Sequence, residues 1–204
     1  MIRRTAAIIV GAIALAAWSV LLLRDHTRRS RGPLADYGPL PDYHLVDERN
    51  QPFSRASLLS HVVIADFIFT RCTASCPRLT ATMAALQGEL ENRKSDVRLV
   101  SFSVDPENDT PQVLAEYSAR VHADPSRWSF VTGQVDEVAR TVVLGFKVSA
   151  AKVARGAGDY DVTHGNWLVL VDRAGRLRGY YSCESSDDVQ GLVDDARRLE
   201  RQPL

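Results

Sequence analysis

An apolar segment that runs directly into two closely spaced cysteines is the feature of this sequence that most restricts its fold. Residues 61–69 are apolar at nearly every position, which predicts a strand buried on both faces of a sheet. Residues 77–92 carry one apolar stripe that is typical of an amphipathic helix, formed by Leu79, Met83, Leu86 and Leu90. Cys72 and Cys76 lie at the junction. The pattern predicts a strand–helix unit of an α/β domain with two thiols where the helix begins.

The position of these two thiols favours chemistry at the junction. A helix N-terminus carries a partial positive charge, which favours the thiolate that binds metals or attacks disulfides. An i, i+4 spacing puts Cys72 and Cys76 on the same helix face. Three interpretations remain open at this point. The pair is a soft-metal site for Cu(I) or Zn(II) that needs a third ligand, a reversible dithiol, or a structural disulfide or pair of buried thiols.

The rest of the pattern predicts an α/β sandwich with a mixed central sheet. A short strand and turn are expected over 44–51, and a capped helix start at Thr110 before Pro111. The other predicted elements are strands at 97–103 and 128–131, a helix at 135–144, a hairpin of 166–171 and 177–181 that turns at Gly175, and a final helix at 186–201.

The N-terminus predicts a membrane anchor. Residues 6–23 are apolar or small apart from Ser19, and a helix of this length spans about 27 Å. A cleaved signal peptide is the alternative, because residues 14–16 resemble a cleavage site. Cleavage there would leave residues 18–23 as an exposed apolar stub, which favours the anchor.

The predicted organisation follows from this anchor. We expect a tail at 1–5, a transmembrane helix at 6–23, a Pro/Gly-rich tether at 24–42 and the α/β domain at 43–204. Arginines flank the apolar segment on both sides, so their count does not fix its orientation. We expect a single-pass protein of the inner membrane whose domain lies on the periplasmic or extracytoplasmic side.

Composition narrows the possible partners. The chain has 25 Lys plus Arg and 25 Asp plus Glu, so its net charge gives no indication of a nucleic-acid partner. Three cysteines are too few for a disulfide scaffold, and Cys183 is left over as a small packed hydrophobe.

A third ligand would have to be one of five histidines, of which His164 is the best placed. His164 lies in a Gly-rich stretch, 156–166, that we predict to be a flexible loop before a buried hairpin strand. A metal ligand and an ordinary hydrogen-bonded loop histidine both fit this position. The other histidines are expected at the surface or without clustered partners; they are His26, His44, His61 and His122.

Three motifs together carry a family resemblance. Residues 66–77, D-F-I-F-T-R-C-T-A-S-C-P, resemble the C-x-x-x-C-P signature of the SCO/SenC family of copper-binding proteins. Residues 103–111, S-V-D-P-E-N-D-T-P, are similar to the S-V-D-P-x-x-D-T-P run of that family. Residues 160–164, Y-D-V-T-H, resemble the segment that bears its copper-ligand histidine. The likeness covers residues 40–200.

The resemblance implies a thioredoxin-like fold and one copper ion, as Cu(I) or Cu(II), bound by Cys72, Cys76 and His164. It also implies copper delivery to the binuclear copper centre of cytochrome c oxidase, or upkeep of the thiols there. Implied partners are the copper-centre subunit, other copper carriers and thiol oxidoreductases. Two departures stand out: Thr163 replaces the usual Asp before the histidine, and Gly165 replaces a Ser or Thr after it.

An enzyme remains the rival hypothesis. A membrane-anchored thiol-disulfide oxidoreductase would use Cys72 and Cys76 and would not need His164. Peroxiredoxins usually place their nucleophile in T-x-x-C, whereas Thr70 and Cys72 are spaced T-x-C. Thioredoxins proper use C-x-x-C, which this chain lacks at the site.

Overall fold

The computed structural model describes residues 32–72, 76–156, 159–164 and 166–203. Only the backbone is described at Cys76 and over 150–156 and 159–164. The chain divides into two compact units, Met1–Leu34 and Ala35–Leu204. The fold below is that of the second unit.

A seven-stranded mixed sheet forms the centre of this unit, in the order β2-β1-β5-β4-β3-β8-β9. The central strands β3, β4 and β5 are parallel, and the flanking strands join them antiparallel. These strands are β1 (His44–Asp47), β2 (Pro52–Ser54), β3 (Val63–Ile68), β4 (Arg98–Ser103), β5 (Trp128–Thr132), β8 (Trp167–Val171) and β9 (Leu177–Ser182). The predicted sandwich with a mixed sheet is confirmed.

Helices connect the strands much as the apolar periodicity predicts. They are α1 (Cys76–Asn92), α2 (Pro111–Arg120), α3 (Val135–Arg140) and α4 (Ser186–Glu200). The predicted stripe of α1 is fully buried against the sheet. The Thr110 side chain caps α2 by accepting a hydrogen bond from the Val113 amide, and Pro111 occupies the first turn.

Buried aromatic side chains fill the core on either side of the sheet. Phe102 lies 4.7 Å from Phe146 and 6.0 Å from Phe67, measured between ring centroids. Trp128 stacks on Phe130 at 4.9 Å. All five rings are at most 1 % exposed, so the core is closed around the three parallel strands.

One local prediction was wrong, and one predicted helix changes type along its length. The stretch expected to be a loop before the hairpin is instead strand: β6 (Ala150–Gly156) pairs antiparallel with β7 (Asp159–His164) as a separate two-stranded sheet. The helix expected over 135–144 is present: α3 ends at Arg140, and the chain continues directly as a π-helical turn, Thr141–Gly145. The glycines at 156, 158 and 165 are the reason that the sequence indicated a loop at β7.

The N-terminal boundary lies earlier than expected. Residues predicted as tether run along the start of β9 and the turn before it. The Tyr37 amide donates to Leu177 O and the Leu40 amide donates to Gly175 O, each at 2.9 Å. The compact unit accordingly begins at Ala35. The anchor predicted over 6–23 lies outside the described residues. Among the residues that are described, no helix is both long enough and apolar enough to cross a membrane.

Candidate metal centre

Cys72 lies just beyond the carboxyl end of β3. The backbone turns sharply there, because the Cys72 amide donates a 3.1 Å hydrogen bond to Phe69 O. Cys72 is half-buried, and Cys76 is the first residue of α1. The strand-to-helix junction predicted for the two cysteines is therefore present.

The start of α1 provides a favourable field for a thiolate. The first amide groups of a helix have no partner within the helix, and the helix dipole adds positive potential at this end. Cys76 lies within that first turn. The arrangement can stabilise thiolate on a cysteine at this position, as metal ligation and disulfide exchange both require.

The topology brings the backbone of His164 toward the same end of the sheet. β7 ends at His164, and β8 begins at Trp167. β8 runs antiparallel to β3, with Ala65 opposite Val169, so the start of β8 lies beside the end of β3. The His164 side chain lies outside the described residues, as does that of Cys76.

A buried carboxylate holds the residue two positions before Cys72. Asp109 is 0 % exposed and accepts hydrogen bonds from the Thr70 hydroxyl at 2.5 Å and from the Thr70 amide at 3.1 Å. It also accepts one from the Ser103 hydroxyl at 2.6 Å. Burial raises the pKa of Asp109 above its usual range, although the hydrogen bonds from Ser103 and Thr70 oppose that shift.

A second buried carboxylate holds the residue directly before Cys72. Arg71 Nη2 lies 3.3 Å from Asp105 Oδ2, and Asn108 Nδ2 lies 3.1 Å from both oxygens of Asp105. Asp105 is 0 % exposed, whereas the Arg71 side chain is 54 % exposed. The charge of Arg71 is therefore engaged by Asp105.

The core beneath the site contains a third carboxylate, Asp66 on β3. Ser101 donates to it at 2.5 Å and in turn accepts from the Trp128 indole at 2.9 Å. Burial raises the pKa of Asp66 to about 7, against the effect of the Ser101 hydrogen bond. Our sequence interpretation did not single out Asp66. A lone Asp inside an otherwise apolar strand was the available signal.

Cys183 also lies at this end of the sheet, directly after β9. Its amide donates a 3.0 Å hydrogen bond to Asn166 O, and its side chain is 6 % exposed. Burial raises the pKa of the Cys183 thiol. A buried, protonated thiol fits the packing role that we expected for this residue.

Among the side chains that the structure describes, no three His, Cys, Asp or Glu residues cluster as a metal-binding group. Of the three predicted ligands, only the side chain of Cys72 belongs to that described set. The carboxylates of Asp105 and Asp109 face loop donors and are not grouped around Cys72.

The sequence as a whole identifies the family. Residues 36–199 match the SCO1/SenC family model. The chain belongs to the SCO1/SenC family. The match spans the compact unit that begins at Ala35, so both the cysteine junction and the 103–111 loop lie within it.

Individual SCO1/SenC relatives are similar in sequence to this chain over most of their own length. The SCO1 protein homolog of Bacillus subtilis is 38% identical over 150 residues, which cover 72% of this chain and 76% of that protein. The structure of BsSco, a member of the Sco family of cytochrome c oxidase assembly proteins in which a disulfide switch was identified, is 30% identical, with a TM-score of 0.72 over 84% of this chain and 98% of that one.

A copper-bound structure is also similar. Arabidopsis thaliana ScoI with copper bound is 26% identical, with a TM-score of 0.66 over 79% of this chain and 99% of that chain. These matches confirm the mixed α/β, thioredoxin-like fold that the resemblance implied.

Proposed function

We propose that this chain is a membrane-anchored copper chaperone that holds one copper ion through Cys72, Cys76 and His164. One observation carries the proposal: a half-buried cysteine lies at a strand-to-helix junction whose helix begins with a second cysteine, in a member of the SCO1/SenC family. The copper bound to the Arabidopsis relative supports the choice of metal.

The donor set fits copper. Thiolates are soft ligands that select Cu(I), and a neutral imidazole completes a three-ligand shell. Two thiolates and one Cu(I) give a net charge of about −1, which the positive end of α1 offsets. Copper binding requires deprotonated thiols, so oxidation to a Cys72–Cys76 disulfide abolishes the site and couples metal loading to redox state.

The proposed destination is the copper centre of cytochrome c oxidase. BsSco supports this part of the proposal, because it is described as a member of a family of cytochrome c oxidase assembly proteins. The apolar run at residues 6–23 supports a single-pass anchor. We place the domain on the periplasmic or extracytoplasmic side of the inner membrane, where it would meet copper carriers and the acceptor subunit.

Anaerobic Cu(I) titration of the reduced, full-length chain in detergent tests the proposal. We expect one copper per chain in the wild type and loss of high-affinity binding in Cys72→Ser and in Cys76→Ser, since removing one thiolate leaves little preference for a soft ion. Cys183→Ser is the matched control and should retain copper. Tight stoichiometric binding in both site variants would contradict a shared site.

Thiol-disulfide exchange is the second candidate function, and the disulfide switch of BsSco favours it. In that role Cys72 and Cys76 would cycle between dithiol and disulfide on a partner's cysteines. The two functions make opposite demands on His164, which is a ligand in the first and dispensable in the second. A chain that exchanges disulfides but binds no copper would favour this second function.

A further inference from the structure

The two residues directly before Cys72 are both held by one neighbouring loop, residues 103–110. Thr70 bonds to Asp109 through its hydroxyl at 2.5 Å and its amide at 3.1 Å. Arg71 pairs with Asp105 at 3.3 Å. The backbone and side chain of Thr70 and the side chain of Arg71 are thus held at the two positions before Cys72.

The parallel pairing of β3 and β4 explains why this loop reaches the cysteine. Ile68 lies opposite Ser103, and the Val104 amide donates a 2.8 Å hydrogen bond to Ile68 O. The two chains therefore leave the sheet side by side and in the same direction. A loop that follows β4 lies next to a loop that follows β3 in this topology.

The chemistry of the loop goes beyond covering the core. Burying a carboxylate costs several kcal/mol unless it is well hydrogen-bonded, and apolar residues would cover the core without that cost. Asp105 and Asp109 are nonetheless both fully buried. Within their own loop they accept hydrogen bonds from Ser103 and Asn108. They also accept hydrogen bonds from Thr70 and Arg71, so the carboxylates fix the course of the chain before Cys72.

We propose that Asp109 and Asp105 are positioning residues. They hold Thr70 and Arg71 in place, so that the Cys72 thiol can bind the same ligand as the Cys76 thiol. This inference rests on the proposed use of the two thiols as one site. Pre-organised loops lose less entropy on ligation, and supporting hydrogen bonds typically change metal affinity by about 10-fold to 100-fold.

Asp109→Asn is the direct test, made in the full-length chain. An amide offers one acceptor oxygen where the carboxylate has two, so the hydroxyl of either Thr70 or Ser103 loses the oxygen to which it donates. We expect Cu(I) affinity, measured by competition with a chromogenic chelator, to fall by about tenfold or more. We also expect the Cys72–Cys76 disulfide to lose about tenfold in stability, equivalent to ~30 mV, because the thiols meet less often.

Asp172→Asn is the matched control for general destabilisation. Asp172 is also a buried carboxylate in a loop, where it accepts from the Ala174 and Arg176 amides at 3.0 Å and pairs with Arg178 at 2.8 Å. It follows β8 at the opposite end of the sheet from Cys72. Its substitution should lower the melting temperature while leaving copper affinity and disulfide stability unchanged.

A second pair of variants serves if Asp109→Asn does not fold. Thr70→Val removes only the hydroxyl donor to Asp109 and preserves side-chain shape, whereas Thr70→Ser keeps the donor. Thr70→Val should weaken copper binding and disulfide stability in the same direction as Asp109→Asn, and Thr70→Ser should remain close to wild type.

The two readouts separate this inference from the proposed function. A wild type that binds no copper, together with a disulfide that weakens in Asp109→Asn, supports positioning and overturns the copper proposal. A wild type that binds copper, with Asp109→Asn and Thr70→Val unchanged in both measurements, overturns positioning alone. Equal effects in Asp172→Asn and Asp109→Asn would also overturn it.

Discussion

Ser101 donates a 2.5 Å hydrogen bond to one carboxylate oxygen of Asp66 inside the central sheet. The other oxygen, Oδ2, is buried and has no hydrogen-bonding partner among the residues described. Such an environment favours the neutral acid, because a charge there would be poorly solvated. The sheet beneath the cysteine junction therefore contains a carboxyl group that titrates near neutral pH.

This carboxyl group predicts a pH dependence of stability that Asp66→Asn removes. The folded pKa of about 7 lies above the ordinary value of 3.8. Between these two pKa values the folded chain keeps the Asp66 proton, whereas the unfolded chain releases it. Asp66 therefore contributes its full stabilisation of the folded state below the ordinary pKa, and this contribution is lost as the pH rises to 7. Between pH 4 and pH 8, the free energy of unfolding of the wild type should fall relative to that of Asp66→Asn by at most about 4 kcal/mol. Urea titrations at several pH values measure it.

Asp42→Asn, at an exposed position, is the control for Asp66→Asn and should follow the wild type at every pH. Parallel profiles for wild type and Asp66→Asn would show that Asp66 does not hold its proton in the folded state.

His164→Ala should weaken copper binding while leaving the Cys72–Cys76 reduction potential nearly unchanged. The imidazole is a metal ligand in our proposal, whereas thiol exchange needs only the two sulfurs and the field of α1. Copper affinity, the Cu(II) absorption spectrum and the thiol potential should be measured together. His44→Ala, an exposed histidine at the start of β1, should match the wild type in all three. Equal copper affinity in His164→Ala and wild type would favour the oxidoreductase.

Removing residues 1–31 should yield a soluble, folded chain. The compact unit begins at Ala35, and its first residues are joined to β9 by backbone hydrogen bonds. The apolar run at 6–23 contributes no part of that unit. Gel filtration and circular dichroism check the result. A truncated chain recovered only as aggregate would contradict the proposed boundary.

Phe146→Ala should destabilise the domain by about 3–5 kcal/mol, because it leaves a cavity in the core. Phe146 is 0 % exposed, and its ring centroid lies 4.7 Å from that of Phe102 and 5.3 Å from that of Phe67. Leu144→Ala is the control, since Leu144 lies two residues earlier and is 68 % exposed. Its effect on the free energy of unfolding should stay within about 0.5 kcal/mol. Similar losses in both variants would contradict this assignment of the core.

Much of the fold was predictable, because the spacing of apolar residues in a long segment indicates both its secondary structure and its buried face. The strand before Cys72 and the helix after Cys76 were both predicted correctly, as was the hairpin turn at Gly175 with its positive φ of 72°. The β6–β7 hairpin was missed, because the glycines around it indicate a loop and the alternation of polar and apolar residues covers only residues 159–162.

The surroundings of the site were harder to predict than its ligands. The cysteines carry their chemistry in their spacing, so Cys72 and Cys76 can be proposed from sequence. The contact between Thr70 and Asp109 joins residues 39 positions apart and depends on strand order, which a sequence pattern does not specify. The 103–111 motif indicated a family and gave no sign of what its carboxylates touch.

The parallel arrangement of β3 and β4 has a consequence for the timing of maturation. Parallel strands need a full crossover, so α1 and β4 must both be synthesised and docked before Asp109 can meet Thr70. We expect that Cys72 and Cys76 can react with oxidants and adventitious metals in a nascent chain that ends before β4. The hydrogen bonds that hold Thr70 in front of Cys72 therefore cannot form until the chain has been synthesised beyond Asp109.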